Sequence, residues 1–394
     1  MRALAPLLGL VAAVSAAEPA VILSNVAELE RARAGGAPAA VAWLRAEADR
    51  LLERPPASVL DKTVVAASGD KHDYFSLGPY WWPDPTKPDG LPYIRRDGDV
   101  NPESRKQSDA PAFGRTCRAI ELLATAWFVT GDARYAAHAA RLARTWFLDP
   151  ATRMNPNFQH AQAIPGITTG RGIGIIEAQN LIWANEGLAL LAGAPDWTEA
   201  DRAAMRAWNE AFYVWLTTSK NGLDEKAWHN NHGTWYDAQV AHLALVLGRA
   251  DDARRTLTDG LAVRLAKHVE PDGRQPHELE RTRSFGYSVY NLEALFLCAR
   301  LAERVGVDWW GFATSDGRSL GAALRFLAPY VDPAKPWIKD DLEPGNRARL
   351  VPLLRQYLQR RPDPALRAFL ESVPPAKDGP PELPWRALVD EPRG

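Results

Sequence analysis

Two asparagines and two histidines crowd into Lys226–Gln239, KAWHNNHGTWYDAQ, among three aromatic side chains where a helical pattern begins. Histidine is the one side chain whose ordinary pKa lies near neutrality, and asparagine offers a neutral amide that can donate to an anionic oxygen. The pairing suits proton transfer beside a carboxylate. A second stretch, Gln275–Asn291, QPHELERTRSFGYSVYN, adds two arginines and two tyrosines. The expectation is that these two segments meet and form one site.

Within the first stretch, His232 is preceded by Asn231 and followed one turn on by Tyr236, so the two rings can share a helix face. Asn230 or Asn231 can equally serve as the helix cap, with His232 a structural histidine. His229 and His232 are three apart, and His277, Glu278 and Glu280 lie downstream, but there is no HExxH and no cysteine pair, so no metal and no cofactor are expected. In the second stretch, Arg283 and Tyr287 are four apart and Tyr287 and Tyr290 three apart, which permits a shared face, while Arg281 belongs to the preceding loop. Tyr80, Trp81 and Trp82 sit in a proline-rich segment, where flat aromatics can stack on sugar rings. Trp127, Trp146, Trp208 and Trp215 fall at helical spacing and are expected in the core.

The elements that must position these groups are almost all helices. Helical periodicity covers Asn25 to Arg33, Pro38 to Glu53, Ala112 to Val129, Ala133 to Phe147, Gly172 to Leu191, Thr198 to Ser219, Asn231 to Leu247, Asp251 to His268 and Ser284 to Val305. It continues over Leu320 to Val331, Arg347 to Gln359 and Pro364 to Val373. Short turns such as Thr130-Gly131-Asp132 join neighbours into hairpins. Strand signals are scarce, so the fold class is all-α. Helical hairpins with chemistry in their connecting loops predict an α/α toroid; no fixed repeat period supports a solenoid. The exception is Pro55 to Ala110, dense in proline and glycine yet rich in aromatics, a long loop expected to be functional and to lie over the cleft.

The chain has 394 residues, 46% hydrophobic and 24% charged, with a formal net charge of -1 and a pI of about 6.7. No global basic field exists of the kind nucleic acid needs, so an anionic ligand must be held by local arginines. Residues 1–17, MRALAPLLGLVAAVSAA, read as a secretory signal with a small-residue cleavage site, which implies a periplasmic or secreted protein. No later segment reaches the roughly 20 apolar residues of a membrane span, so no membrane anchor is expected after cleavage. Residues 18–373 form the helical domain and 374–394 a proline-rich tail. Cys117 and Cys298 both lie in apolar helical patterns, either bonded to each other or buried as free thiols. Oligomeric state is not legible.

Three motifs taken together carry a resemblance: YFSLGPYWWPDP (Tyr74 to Pro85), WHNNHGTWYD (Trp228 to Asp237) and PHELERTRSFGYSVYNLEAL (Pro276 to Leu295). In this order, over most of the mature chain, they resemble the alginate lyase superfamily of polysaccharide lyases, closer to the glucuronan and polymannuronate lyase branch than to the lyases of alginate biosynthesis. The resemblance implies an α/α toroid and metal-independent β-elimination on an anionic uronate polysaccharide. Residue by residue, the family's Asn-His pair falls on Asn231 and His232, and its arginine and catalytic tyrosine on Arg281 and Tyr287, with Arg283 and Tyr290 as neighbouring candidates. Arg283, Tyr80, Trp81, Trp82, Asn230, Tyr236, His277 and Tyr290 are then expected to contact substrate.

Those residue types fit the chemistry. Removing the C5 proton of a uronate is hard while its carboxylate is charged; Asn231, His232 and an arginine can neutralise that group and stabilise the enolate-like intermediate. Arginine charge beside Tyr287 is expected to favour the phenolate, which takes a proton, while the neutral phenol gives one to the departing O4. Where the C5 hydrogen and O4 share a face, Tyr287 can do both; where they do not, His232 is the better base. Two other readings compete. A glycoside hydrolase needs two carboxylic acids, for which Asp237, Glu278 and Glu280 are candidates. A non-catalytic polysaccharide-binding protein would need only the aromatic loop.

Overall fold

The computed structural model describes residues 20–332, 334–342 and 347–373, together with Leu383. The signal segment and the proline-rich tail expected at the two ends lie outside the described residues, Leu383 apart. Helices α1 (Val26–Arg33) and α2 (Pro38–Leu52) open the chain, and α3 (Pro102–Lys106) is a single turn within the aromatic loop. The main series is α4 (Ala110–Thr130), α5 (Ala133–Ala143), α6 (Leu181–Leu190), α7 (Glu199–Thr218), α8 (Lys220–Lys226), α9 (Asn231–Val246) and α10 (Ala250–Gly260). It runs on through the short α11 (Ala266–His268) and α12 (Pro276–Leu279) to α13 (Ser284–Glu303), α14 (Leu320–Leu327), α15 (Leu350–Arg360) and α16 (Pro364–Ser372).

Their packing follows their patterning. Helices α4, α6, α9 and α13 touch one another in succession and form an inner layer, while α5, α10 and α14 lie on α4, α9 and α13 from outside. The inner helices α9 and α13 are buried nearly all round, Trp235, Val240 and Leu243 on one and Leu292, Leu295 and Phe296 on the other together with polar residues such as Asp237 and Asn291. A helix buried on every side loses the one-faced stripe that marks surface helices, and that stripe is kept by α5 and α10. The α4–α5 hairpin turns at Gly131, whose φ of 74° caps α4 in the left-handed region where a side chain is disfavoured.

Two details differ from the sequence reading. The stretch over 172–191 is α-helical only from Leu181; Gly172–Asn180 is a tighter 3₁₀ coil. A Cβ at Gly174 would stand 2.6 Å from Ala161, so the coil approaches the strand backbone closer than an ordinary helix could. Helix α8, just before the histidine cluster, gives too short a periodic signal to stand out and was not anticipated. Cys117 and Cys298 are both buried free thiols, which settles the alternatives left open for them. Trp146 and Trp208 are buried and Trp127 and Trp215 pack against the core, as their spacing required.

The long segment over 55–110 is tied down rather than loose. Its neck is closed by a buried ion pair, Lys62 Nζ to Asp109 Oδ2 at 3.0 Å. Burial pushes the Asp109 carboxyl up to about 6 even against that lysine. Tyr74 and Phe75 sink into the core, and β1 (Phe75–Leu77) pairs in parallel with β4 (His160–Ala163). Beyond them, β2 (Trp81–Trp82) pairs with β3 (Ile94–Arg95) to make a two-stranded ribbon. At the other end of the chain order, the buried Glu186 of α6 accepts hydrogen bonds from the backbone N–H groups of Ile22, Leu23 and Ser24 at 2.9–3.0 Å. Arg300 and Arg304 of α13 donate to the Leu23 and Ile22 carbonyls. No helix among the described residues is long and apolar enough to cross a membrane.

Candidate active site

The N-terminal turn of α9 holds the first group of site residues. Asn230 is its cap, its Oδ1 accepting from His232 N at 3.1 Å, so this side chain is spent on the helix end. Asn231 is fully buried; its N and Nδ2 donate to Glu278 Oε1 and Oε2 at 2.6 and 2.7 Å, and its own Oδ1 is buried without a hydrogen-bond partner. His232 Nδ1 lies 2.9 Å from Oε1 of Glu225, a fully buried carboxylate at the end of α8. With Nδ1 engaged by Glu225, Nε2 is the ring nitrogen left to meet a substrate.

The second group gathers on the turn into α13. Arg281 Nη2 donates to the Tyr287 hydroxyl at 2.8 Å, and the Tyr80 hydroxyl lies 2.5 Å from the same oxygen. Arg281 is thus the arginine that partners Tyr287; Arg283 is half-buried at the cap of α13, where its carbonyl accepts from Tyr287 N at 3.0 Å. Arg281 is also gripped by Asp97 of the aromatic loop, Nε to Oδ2 at 3.2 Å and Nη2 to Oδ1 at 3.0 Å. Burial, reinforced by the neighbouring Tyr80 hydroxyl, pushes the Tyr287 phenol well above its ordinary range, although Arg281 pulls the other way. The expectation that arginine would favour the phenolate is therefore corrected: desolvation outweighs the guanidinium, and the resting side chain is a neutral phenol.

The two groups share one neighbourhood. Glu278, which holds Asn231, senses the charges of both Arg281 and His232, and burial pushes it up to about 7 despite two donors from Asn231. On the other side, Glu225 senses Arg171 as well as His232. The Arg171 guanidinium sits 5.8 Å from the Trp81 ring centroid, and Trp81 follows Tyr80 in β2. Two contact groups result, His232 with Glu225 and Tyr287 with Arg281 and Tyr80, and the buried Glu278 feels the charge of a member of each. Trp82, half-buried, stacks under Arg96 at 4.9 Å.

Two other expected contacts, Tyr236 and Tyr290, are buried in the core instead. Tyr236 is buried in the core, its hydroxyl donating to the Leu216 carbonyl at 3.2 Å, because one turn past the cap already faces inward on a helix buried all round. Tyr290 is buried against Trp235, ring centroids 5.1 Å apart, and its hydroxyl accepts from Gln179 Nε2 at 2.6 Å. His277 packs edge-on to His229 and His268, centroids 4.7 and 5.6 Å away, in a cluster where burial holds His268 down at about 4. Among the described residues no group of three or more His, Cys, Asp or Glu is arranged to hold a metal ion. The hydrolase candidates fare no better: Asp237 is buried against Arg264 at 2.8 Å, Glu278 is tied to Asn231, and Glu280 is exposed.

Sequence reasoning passed over Asp97, Gln162, Arg171 and Glu225. Gln162 has a φ of 48°, strained for a residue with a side chain, and its Oε1 accepts from Arg171 Nη2 at 2.9 Å. None of these has a spacing signature, since each meets its partner from a separate element.

A family model described as alginate lyase matches residues 58–337. The chain belongs to the alginate lyase family. As a member it is a polysaccharide lyase, and its succession of inner and outer helices is the family's α/α toroid. A solved alginate lyase from Bacteroides ovatus is 36% identical with a TM-score of 0.85, the match covering 90% of this chain and 96% of that one. A complex of alginate lyase A1-III with a tetrasaccharide is 17% identical with a TM-score of 0.59, covering 88% and 89%, and is a likeness of fold. No curated protein sequence matches the chain.

Proposed function

We propose that this lyase cleaves an alginate-type uronate polymer by β-elimination, with polymannuronate and glucuronan as the polymers to try beside alginate itself, and leaves a 4,5-unsaturated uronate at the new end. What supports the reading is an imidazole engaged by Glu225, His232, and a phenol kept neutral by burial, Tyr287 beside Arg281, with Glu278 feeling both His232 and Arg281. One is set up to take a proton and the other to give one. In this reading, on a polymer whose C5 hydrogen and O4 lie on opposite faces, His232 Nε2 abstracts the C5 proton and Tyr287 protonates the departing O4, with Arg281 facing the charge that develops on the phenol oxygen; where they share a face, as in mannuronate, Tyr287 serves both steps. Glu278, near neutrality, and the Asn231 amide it holds supply a low-charge surround for the substrate carboxylate. The half-buried Trp81 and Trp82, each under an arginine, are assigned to binding the polymer. We also propose export through the leader-like segment, testable by N-terminal sequencing of the processed protein.

The test is a screen of uronate polymers followed by the ultraviolet absorbance of the C4=C5 double bond, with reducing ends counted in parallel. A lyase gives both signals in step. New reducing ends without absorbance would point to hydrolysis and remove the proposal.

A further inference from the structure

We propose that Asp97 is a positioning residue of the lyase site: from the aromatic loop it grips Arg281 at two points and so aims one guanidinium nitrogen at the Tyr287 hydroxyl. This rests on the reading of Tyr287 as a proton-transfer residue.

The geometry is that of a bracket. Each carboxylate oxygen of Asp97 takes a different Arg281 nitrogen, at 3.0 and 3.2 Å, and the Nη2 so fixed also reaches the Tyr287 oxygen at 2.8 Å. Two-point pairing removes the rotation that a single contact would leave to a guanidinium. Asp97 is itself held from the same turn: Thr282 Oγ1 donates to its carbonyl at 3.0 Å, and Thr282 N approaches Oδ2 at 3.4 Å. Arg95, on the loop's own ribbon, adds a contact to Oδ1 at 2.8 Å. Neither Asp97 nor Arg281 is open to solvent, their side chains being 21% and 15% exposed, so the pair is not an ordinary surface bridge. The partners are 184 positions apart, and the Tyr80–Tyr287 contact spans 207, so the loop reaches the proton-transfer residue by two routes, directly through Tyr80 and through Arg281 from Asp97.

A consequence concerns the substrate. An arginine already paired in the free enzyme is a poor receptor for a sugar carboxylate, since any such contact must compete with Asp97. Asp97 therefore assigns Arg281 to the phenol rather than to the uronate carboxylate. Burial would raise the Asp97 carboxyl, but Arg281 and Arg95 hold it at about 2, so the bracket is charged throughout the working range.

The test is Asp97→Asn, which keeps one acceptor for Arg281 and removes the charge. The groups facing the phenol are Tyr80 and Asp97 from the loop and Arg281 from the turn before α13; loss of the Asp97 charge leaves Arg281 less compensated. Expected are a fall in kcat of about 10-fold or more with KM changed far less, and an alkaline limb of the pH–rate profile displaced to lower pH. Asp97→Glu should recover part of the rate. A tyrosine Cζ carbon-13 titration, with the Tyr287 signal assigned by its loss in Tyr287→Phe, reads the same displacement without turnover. An unchanged phenol titration together with unchanged kcat overturns the proposal, as does a rise in KM alone, which would make Asp97 a loop latch for substrate. Parent-like turnover in Tyr287→Phe would instead sink the reading of Tyr287, whatever Asp97→Asn does.

Discussion

Tyr287→Phe removes one oxygen and little else, which makes its effect calculable. The ring keeps its place against the core, and Arg281 keeps both contacts to Asp97. What disappears is the hydrogen bond from Arg281 at 2.8 Å and the contact with Tyr80 at 2.5 Å, together with the proton the phenol carries. Hydrogen bonds of this kind contribute roughly 1 kcal/mol each to stability, so unfolding should be easier by no more than about 2 kcal/mol. A positioned proton donor is worth about 10²–10⁴ in rate, or roughly 3–5 kcal/mol of barrier. Turnover should therefore fall by that factor while KM and circular dichroism stay near parent values. Tyr80→Phe is the control: it removes the outer partner without touching the donor, and should cost about 10-fold or less. The assay is initial-rate absorbance of the unsaturated product, on material whose thermal unfolding has been measured in the same buffer. If Tyr287→Phe retained more than about a tenth of the parent kcat, the phenol would not be the proton donor and the assignment of roles would fail.

Three further expectations follow from the same geometry. His232→Ala should lower kcat by about 10² or more, and Glu225→Gln, which leaves the ring in place but changes its buried partner, should lower it less; a parent-like kcat in Glu225→Gln would refute the dyad. Glu278 has its folded pKa raised to about 7 from an ordinary value of 4.5, so its stabilising contribution is complete below the lower value and disappears as pH rises through the upper one. Thermal stability should decline across that window by up to about 3 kcal/mol, and Glu278→Gln, which stands in for the protonated form, should flatten the decline; equal pH slopes in both proteins would count against it. Tyr236→Phe should leave kcat and KM unchanged, since its hydroxyl meets only the Leu216 carbonyl, whereas Asp237→Asn strands the buried Arg264 charge and should cost about 3–5 kcal/mol in denaturant unfolding.

Much of the scaffold was legible because helices announce themselves locally. The Thr198 and Asp201 capping box, the Gly131 turn and the apolar spacing of α4 and α13 each lie within a few residues, and the structure places elements where those signals stand. The Asn-His pair was visible for the same reason, whereas Arg281 as the partner of Tyr287 came from the family resemblance, spacing alone having put Arg283 on the tyrosine's face. What stayed hidden depends on contacts between distant segments. Tyr236 looked like a site residue because i+4 spacing puts it on the His232 face near the cap, but α9 is buried all round and no amphipathic stripe marked which face was wet. Likewise, the phenol's state depends on desolvation, a property of everything packed around it rather than of the arginine six positions away in sequence. Asp97 and Glu225 carry no motif; only the folded loop and the α8–α9 junction bring them into contact.

The carboxylate of Glu186 has a bearing on how the chain is assembled. It gathers the amides of residues 22–24, the Ser24 hydroxyl at 3.0 Å and, from the far side, the His242 ring at 3.3 Å, while the matching carbonyls are held by arginines 277 and 282 positions further on. The segment synthesised early is thus seated in full only once α13 is in place, since its carbonyls are held by Arg300 and Arg304 although its amides already meet Glu186 of α6. Ordering of this strap should coincide with the docking of α13 on α9 rather than precede it, since its contacts span up to 282 positions.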